Sequence, residues 1–116
     1  MQKSIMENPF DIAKVTDWLR RKFDSEYIGK LLIFGSILSK HRIPNDCDII
    51  VVTDVEPDTN SWKELRELIK TNKIDFRTEF NLDLSVTLYT NHEYDEKSYF
   101  KETIKTYPTR IIIGEY

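Results

Sequence analysis

Two short runs of bulky apolar residues set the strongest constraint on how this chain can fold. The runs Leu31 to Phe34 and Ile49 to Val52 are continuous, without the alternation of polar and apolar residues that a half-exposed strand shows. Such short runs are typical of strands that are buried on both faces. Helical patterns lie between and around them. We therefore predict an α/β (α+β) fold, in which a small mixed β-sheet has helices packed on one face.

The periodicity along the chain predicts seven elements in the order helix, strand, strand, helix, strand, helix, strand. They span about residues 9–24, 31–34, 46–53, 61–80, 82–89, 93–107 and 110–113. Asn8 before Pro9 is predicted to open the first helix, because Asn can accept from the free amides of a first turn. Asn60 or Ser61 can cap the second helix. Asn72 and Asp75 interrupt its apolar stripe, so a break there is an open alternative.

Length, charge and cysteine content exclude several classes of protein. The 116 residues fit one domain, 1–116. Lys and Arg number 17 against 20 Asp and Glu, a net charge of −3, so nucleic-acid binding is not expected. Cys47 is the single cysteine, which excludes an intramolecular disulfide and a multi-cysteine metal site. The apolar runs are too short to span a membrane and Met1 to Asn8 has no secretory apolar core, so we expect a cytoplasmic protein.

Two carboxylates stand one residue apart at the start of the second apolar strand. Asp46 and Asp48 point to the same face of that strand, because strand side chains alternate. Asp is depleted in strands, and two adjacent like charges are costly unless a cation lies between them. The alternative is that the two aspartates are ordinary solvated residues at the end of a strand and bind no ligand. We interpret the pair as a Mg²⁺ site, since this ion binds one or two carboxylates together with water and substrate phosphates.

A third carboxylate, Asp83, lies on the strand predicted from residue 82, whose apolar residues alternate with polar ones. If this strand lies beside the one that carries Asp46 and Asp48, the three acids share one rim and are close enough to hold two metal ions. Asp75 or Glu79 could supply the third ligand instead.

Gly35 and Ser36 stand where the first buried strand meets a predicted short helical turn, over about residues 36–40. There Gly35 lets an anion approach, and the Ser36 hydroxyl and nearby amides can bind it, although Ser36 could also be a plain turn residue. Lys40 and Arg42 follow and could neutralise phosphate charge. Together, the phosphate site and the acids indicate a nucleoside triphosphate with its magnesium.

The pattern resembles the signature of the DNA polymerase β-like nucleotidyltransferase superfamily, and especially its minimal, single-domain members. Its parts are Gly35-Ser36, then nine residues, then Asp46-Cys47-Asp48 and the apolar strand to Val52, extended by Asp83 on a later strand. The resemblance implies that Gly35 and Ser36 hold the triphosphate and that Asp46 and Asp48 bind two Mg²⁺ ions. It also implies that Asp83 helps to activate the attacking hydroxyl.

The resemblance implies transfer of a nucleoside monophosphate from an NTP to an acceptor hydroxyl, which in so short a chain could be that of a protein partner. Minimal members are often paired with a small helical partner in toxin–antitoxin-like modules. Many members have an Arg-Gly step and a Ser where this chain has Ser39-Lys40-His41 and Asn45. An inactive binding or antitoxin-like module is therefore the alternative. The sequence leaves open the preferred base, the acceptor and whether the chain forms a homo-oligomer.

Overall fold

The helices and strands follow one another in the predicted order around a four-stranded mixed sheet. The computed structural model of the chain describes residues 7–96 and 108–114. The elements are α1 (Ile12–Lys22), β1 (Lys30–Phe34), a 3-10 turn (Ser36–Leu38), β2 (Asp46–Thr53), α2 (Asn60–Phe80), β3 (Asp83–Thr90), α3 (Asn91–Glu96) and β4 (Thr109–Ile113). The sheet order is β3-β2-β1-β4, with β1 antiparallel to β2 and β4, and β2 parallel to β3. The predicted fold class is confirmed.

The first two helices cover one face of the sheet. Their buried side chains pack with the inward residues of the strands in one large core, where the ring of Trp18 on α1 meets the ring of Phe76 on α2 edge to face, with centroids 5.3 Å apart. A smaller cluster of Leu32, Ile50 and Val52 lies on the opposite face. Tyr94 of α3 packs against that smaller cluster, so helical residues contact both faces rather than one.

The parallel pairing of β2 with β3 requires a crossover connection, and α2 provides it. The chain leaves the end of β2, returns along the 21 residues of α2 and enters β3 after Asn81, which adopts the left-handed conformation at the helix end (φ 54°, ψ 40°). Parallel strands that are joined in this way begin at the same edge of the sheet. The starts of β2 and β3, which carry the predicted acidic residues, are therefore neighbours.

The helix starts differ from the predictions because side chains make contacts that are distant in sequence. Asp11, not Asn8, caps α1 by accepting from the amides of Ala13 and Lys14. The Asn8 amide instead donates to the carbonyls of Ile37 (2.6 Å) and Ser39 (3.1 Å). Thr59, rather than Asn60 or Ser61, caps α2.

The third helix begins at Asn91, before the predicted residue 93, and the part of that prediction over residues 97–107 lies outside the described residues. None of the helices in the described ranges has both the length and the apolar character that crossing a membrane requires.

No break interrupts α2 at Asn72, and the structure supplies the reason. The Asn72 side chain is buried, with 4% of its surface exposed, and its amide donates to the carbonyl of Lys22 at 2.8 Å. That carbonyl lies at the end of α1, where the helix itself supplies no N–H donor for it. The residue that weakens the apolar stripe in the sequence thus joins the two helices.

We expect Asn72→Ala to lower the free energy of unfolding by about 1–2 kcal/mol, because it leaves the Lys22 carbonyl without its donor. Urea unfolding followed by circular dichroism measures the change. Lys73→Ala, at the exposed neighbouring position, is the matched control and should shift the stability by less than about 0.5 kcal/mol. Equal stabilities for the two variants would contradict a structural role for the Asn72 contact.

Candidate functional site

The carboxylates of Asp46 and Asp48 lie on the sheet face opposite α1 and α2. Between them Cys47 points into the large core, where it is fully buried. Burial raises the pKa of the Cys47 thiol, as do the charges of Asp48 and Asp46. A buried, protonated thiol is a poor nucleophile, so Cys47 contributes packing and the two aspartates contribute the reactive groups of this segment.

The Asp48 carboxyl occupies an environment that disfavours its charge. Partial burial raises its pKa from 3.8 to about 6, and the nearby charge of Asp46 and a hydrogen bond between the two carboxyls act in the same direction. Burial and the Asp46 charge penalise a second negative charge here, and the hydrogen bond favours the protonated form of Asp48. A cation bound between the carboxylates would reverse that penalty.

The raised pKa predicts a pH-dependent effect of Asp48→Asn on the metal-free protein. A carboxyl whose folded pKa exceeds its unfolded value destabilises the fold when it is ionised, so the cost is present above pH 6 and fades as the pH falls from about 6 to 4. Because the half-buried charge is screened by solvent, we expect Asn to raise the free energy of unfolding by about 1 kcal/mol at pH 7.5. Its amide can also donate to Asp46.

Urea titrations in EDTA at pH 7.5 and pH 4 measure this difference. Asp54→Asn, at an exposed position just after β2, is the control and should leave both curves unchanged. A variant less stable than the wild type at pH 7.5 would show that the Asp48 carboxylate is stabilising in the absence of metal, contrary to this account.

Gly35 brings the end of β1 against the Asp48 carboxylate. Its backbone has φ 90° and ψ −157°, a conformation that residues with a side chain rarely adopt. A Cβ at this position would lie 3.0 Å from Oδ2 of Asp48, and Phe34 is paired with Asp48 across the antiparallel strands. The glycine therefore allows the backbone to contact the carboxylate, and the 3-10 turn begins with Ser36 at this contact.

Asp83 occupies the strand position beside Asp46. The two residues are partners in the parallel register of β2 with β3, which confirms the strand adjacency that the three-acid prediction required. The Asp83 side chain, however, points to Arg77 at the end of α2, with 3.1 Å between Nη1 and Oδ1, and it is 76% exposed. Among residues 7–96 and 108–114, no three His, Cys, Asp or Glu side chains are grouped closely enough to hold a metal ion.

Asp83 nonetheless matches the predicted geometry better than Asp75 and Glu79. These two belong to α2, whose buried side packs on the other face of the sheet, whereas Asp83 belongs to the strand next to Asp46. Sequence reasoning missed Arg77 as its partner. The signal was present, since Arg77 is a basic residue in the last turn of a helix, six positions before an acid at the start of the next strand.

The two basic residues predicted to bind phosphate lie in the loop between the 3-10 turn and β2. Lys40 and Arg42 are both exposed, and within the described part of the chain neither makes an ion pair. The backbone N–H of Asn8 donates to the carbonyl of Lys40 at 3.1 Å and so anchors this loop. Their side chains are available to an anion, but the fold does not fix them against the acids.

The donor set at the start of β2 fits a hard divalent cation. It consists of two carboxylates, one of them held partly out of water against Gly35, and the Ser36 hydroxyl lies next to that glycine in the chain. Mg²⁺ prefers such oxygen ligands and keeps several positions for water and phosphate. Asp46 and Asp48 would hold the ion, and Asp83 would join them only by leaving Arg77.

No protein-family model and no curated protein matches this sequence. Among solved structures, the chain is similar to one in a crystal structure of a mutant of the toxin–antitoxin MntA–HpeT, with 16% sequence identity and a TM-score of 0.49. The alignment covers 91% of this chain and 75% of that chain.

Proposed function

We propose that this protein is a metal-dependent nucleotidyltransferase that moves a nucleoside monophosphate from an NTP to an acceptor hydroxyl. One observation carries the proposal: the Gly35 backbone lies against the Asp48 carboxylate, whose neighbour on the same strand face is Asp46. The Gly-Ser turn and the Asp-x-Asp pair, nine residues apart in sequence, thus meet in space. A triphosphate with its Mg²⁺ is the ligand that needs both of these features.

In the proposed reaction, an acceptor oxygen forms a bond to the α-phosphorus while the bond from that phosphorus to the bridging oxygen breaks and pyrophosphate leaves. Mg²⁺, when bound, supplies charge stabilisation for the attacking and departing oxygens. Asp46 and Asp48 are the ligands that place it. The Ser36 hydroxyl positions the terminal phosphates next to these carboxylates, and Lys40 and Arg42 neutralise part of their charge.

Asp83 orients the acceptor and takes its proton in this proposal. Its place beside Asp46 in the β2–β3 register supports that role. Its ion pair with Arg77 is exposed on both sides, at 56% and 76% of the side-chain surfaces, so exchanging it for another partner costs little. Arg77 thus holds Asp83 away from the pair in the structure and releases it when a cation and an acceptor are bound.

Incubation with labelled triphosphates tests the proposal directly. The protein, purified with whatever partners accompany it, is incubated with each of the four NTPs and Mg²⁺ and analysed by intact-mass spectrometry. We expect one component to gain the mass of one or more nucleoside monophosphates with Mg²⁺ and none with EDTA. The component that gains mass identifies the acceptor.

The alternative is a binding module that keeps the fold without catalysis, favoured by the exposure of Lys40 and Arg42, which no ion pair within residues 7–96 and 108–114 fixes near the acids. Calorimetric titration of Mg²⁺–ATP separates the two. Metal-dependent binding with no added mass on any component supports the module, and the absence of both binding and added mass for all four NTPs would rule out the proposed transfer.

A further inference from the structure

Helix α2 presents a stripe of basic side chains on the side next to β3. The members recur at three- and four-residue steps, a spacing that places them on one face of a helix, about 21 Å from end to end. All are exposed. They are Lys63, Arg66, Lys70, Lys73 and Arg77. The last four each follow a residue that α2 buries, so the stripe lies at the border between the core and solvent.

A groove of about 1120 Å³ runs between this basic stripe and β3. Its apolar lining comes from both elements: Ile69 and Ile74 of α2, and Val86 and Leu88 of β3. Ile74 is 61% exposed, although it is a large aliphatic side chain. A second depression of about 560 Å³ shares Lys73 and Ile74 with the groove and reaches Asp83 and Ser85. Together they form one basic, apolar-floored surface.

The positive charge of the stripe is largely unmatched. Of its five members only Arg77 has an ion pair in the described part of the chain, with Asp83. Asp58 and Glu67 also line the groove, but neither forms an ion pair with the stripe in the described part of the chain. Like charges at these spacings destabilise a helix, so folding does not favour the arrangement. The chain as a whole has a net charge of −3, so the cluster of positive charge on α2 does not follow from its overall composition.

The strand that forms the other wall is an edge strand. β3 has eight residues and pairs only with β2 among the described strands. A free strand edge leaves backbone N–H and C=O groups available to an added segment, and side-chain pockets beside it give specificity. Among residues 7–96 and 108–114, the groove therefore offers hydrogen bonds, aliphatic contacts and positive charge along the same line.

We infer that this groove is the docking surface for an acidic, amphipathic segment of a partner protein. The basic stripe selects carboxylates, and the aliphatic floor selects apolar side chains between them. A second copy fits poorly, because pairing of two β3 edges would bring two basic stripes together. Nucleic acid fits less well, because Trp62 is the one aromatic residue among the described residues of the groove lining, which leaves little surface for the stacking of bases. The docking does not rest on the proposed function.

Fluorescence anisotropy with a labelled synthetic peptide tests the inference. The probe has about twelve residues in which Glu alternates with Val and Leu, the length of an extended segment that can follow β3 and the connecting depression. Three comparison probes are used: the same peptide with Lys for Glu, one with Ser for Val and Leu, and a dT oligonucleotide. The variants are Lys70→Glu/Lys73→Glu and, as a matched control on α1, Lys14→Glu/Arg20→Glu.

We expect the wild type to bind the acidic amphipathic peptide at least about tenfold more tightly than each comparison probe, and more weakly as salt is raised. Lys70→Glu/Lys73→Glu should lose at least about tenfold in affinity, while the α1 control and Asp46→Asn/Asp48→Asn bind as the wild type does. Lys70→Gln/Lys73→Gln, which keeps side-chain volume, guards against a folding defect and should show an intermediate loss.

Three results would overturn the inference. They are no binding of the acidic peptide, tighter binding of the dT oligonucleotide, or equal loss of affinity in the groove variant and the α1 control. The variant Asp46→Asn/Asp48→Asn is tested with the same peptide. The docking result therefore stands if the proposed transfer reaction fails, and the transfer proposal stands if the peptide does not bind.

Discussion

Replacing both Asp46 and Asp48 by Asn is expected to abolish metal-dependent triphosphate binding and to reduce nucleotidyl transfer by at least about 100-fold. The physical reason is that an Asn amide is a weak neutral ligand, whereas the metal neutralises charge that is worth several kcal/mol in the transition state. The two carboxylates are the hard anionic ligands that the start of β2 provides on the sheet face opposite α1 and α2.

The same double variant should be at least as stable as the wild type without metal, since it removes the repulsion that raises the pKa of Asp48. Loss of ligand binding with unchanged or raised stability distinguishes a binding role from a structural one. Melting temperatures measured with EDTA, with Mg²⁺ alone and with Mg²⁺–ATP report both the stability of the protein and its ligand binding in one experiment. At about one hundred times the dissociation constant, the ligand should add about 2.7 kcal/mol to the wild type and nothing to the variant.

Asp17→Asn/Asp54→Asn is the matched control, because both residues are exposed aspartates away from the site. It should keep the full stabilisation by Mg²⁺–ATP. Retention of that stabilisation by Asp46→Asn/Asp48→Asn would refute the proposed metal site, whichever acceptor the protein uses.

Gly35→Ala should cost about 2 kcal/mol of stability or more and remove triphosphate binding. Two effects combine at this position. The backbone conformation, φ 90° and ψ −157°, is strained for any residue with a side chain, and the added Cβ would lie 3.0 Å from Oδ2 of Asp48. Relief of that contact must move either the carboxylate or the turn that begins at Ser36, and the proposed site needs both in place.

Gly29→Ala provides a control of the same chemistry at a tolerant position. Of the described atoms, a Cβ there would meet only the carbonyl oxygen of Val52, at an ordinary 3.9 Å. We therefore expect Gly29→Ala to change stability by less than about 1 kcal/mol and to bind Mg²⁺–ATP as the wild type does. Urea unfolding and calorimetric titration check the pair of variants. If Gly35→Ala bound the triphosphate normally, contact between the glycine and Asp48 would have no part in ligand binding.

Patterns that depend on neighbours in sequence were predicted well. The bounds of β2, the 3-10 turn after Gly35 and the alternation in β3 follow from side-chain periodicity and from glycine at a strand end, which act over a few residues. The shared face of Asp46 and Asp48 follows from the geometry of any strand. These features hold in many tertiary surroundings, so a sequence can indicate them without knowledge of the rest of the fold.

Other features depend on which distant groups are brought together. Asn8 looks like a helix cap, but its amide bonds to carbonyls 29 and 31 residues away, and Asn72 looks like a helix breaker but bonds to the end of α1. The direction of the Asp83 side chain likewise depends on Arg77. A polar side chain bonds to the partner that lies within its reach in the folded chain and that burial leaves without water. The local sequence pattern contains neither piece of information.

The sequence by itself determined the chemistry that this protein can offer: a pair of carboxylates on one strand face, and a glycine and a serine at the end of another strand. Only the tertiary structure decided that these groups meet, because the contact between Gly35 and Asp48 requires antiparallel pairing of β1 with β2. It also decided that Asp83 lies beside Asp46, because the α2 crossover makes β3 parallel to β2 and starts both strands at one edge. Strand pairing depends on residues that are distant in sequence, because it is the burial of both apolar runs in one sheet that brings the strands together.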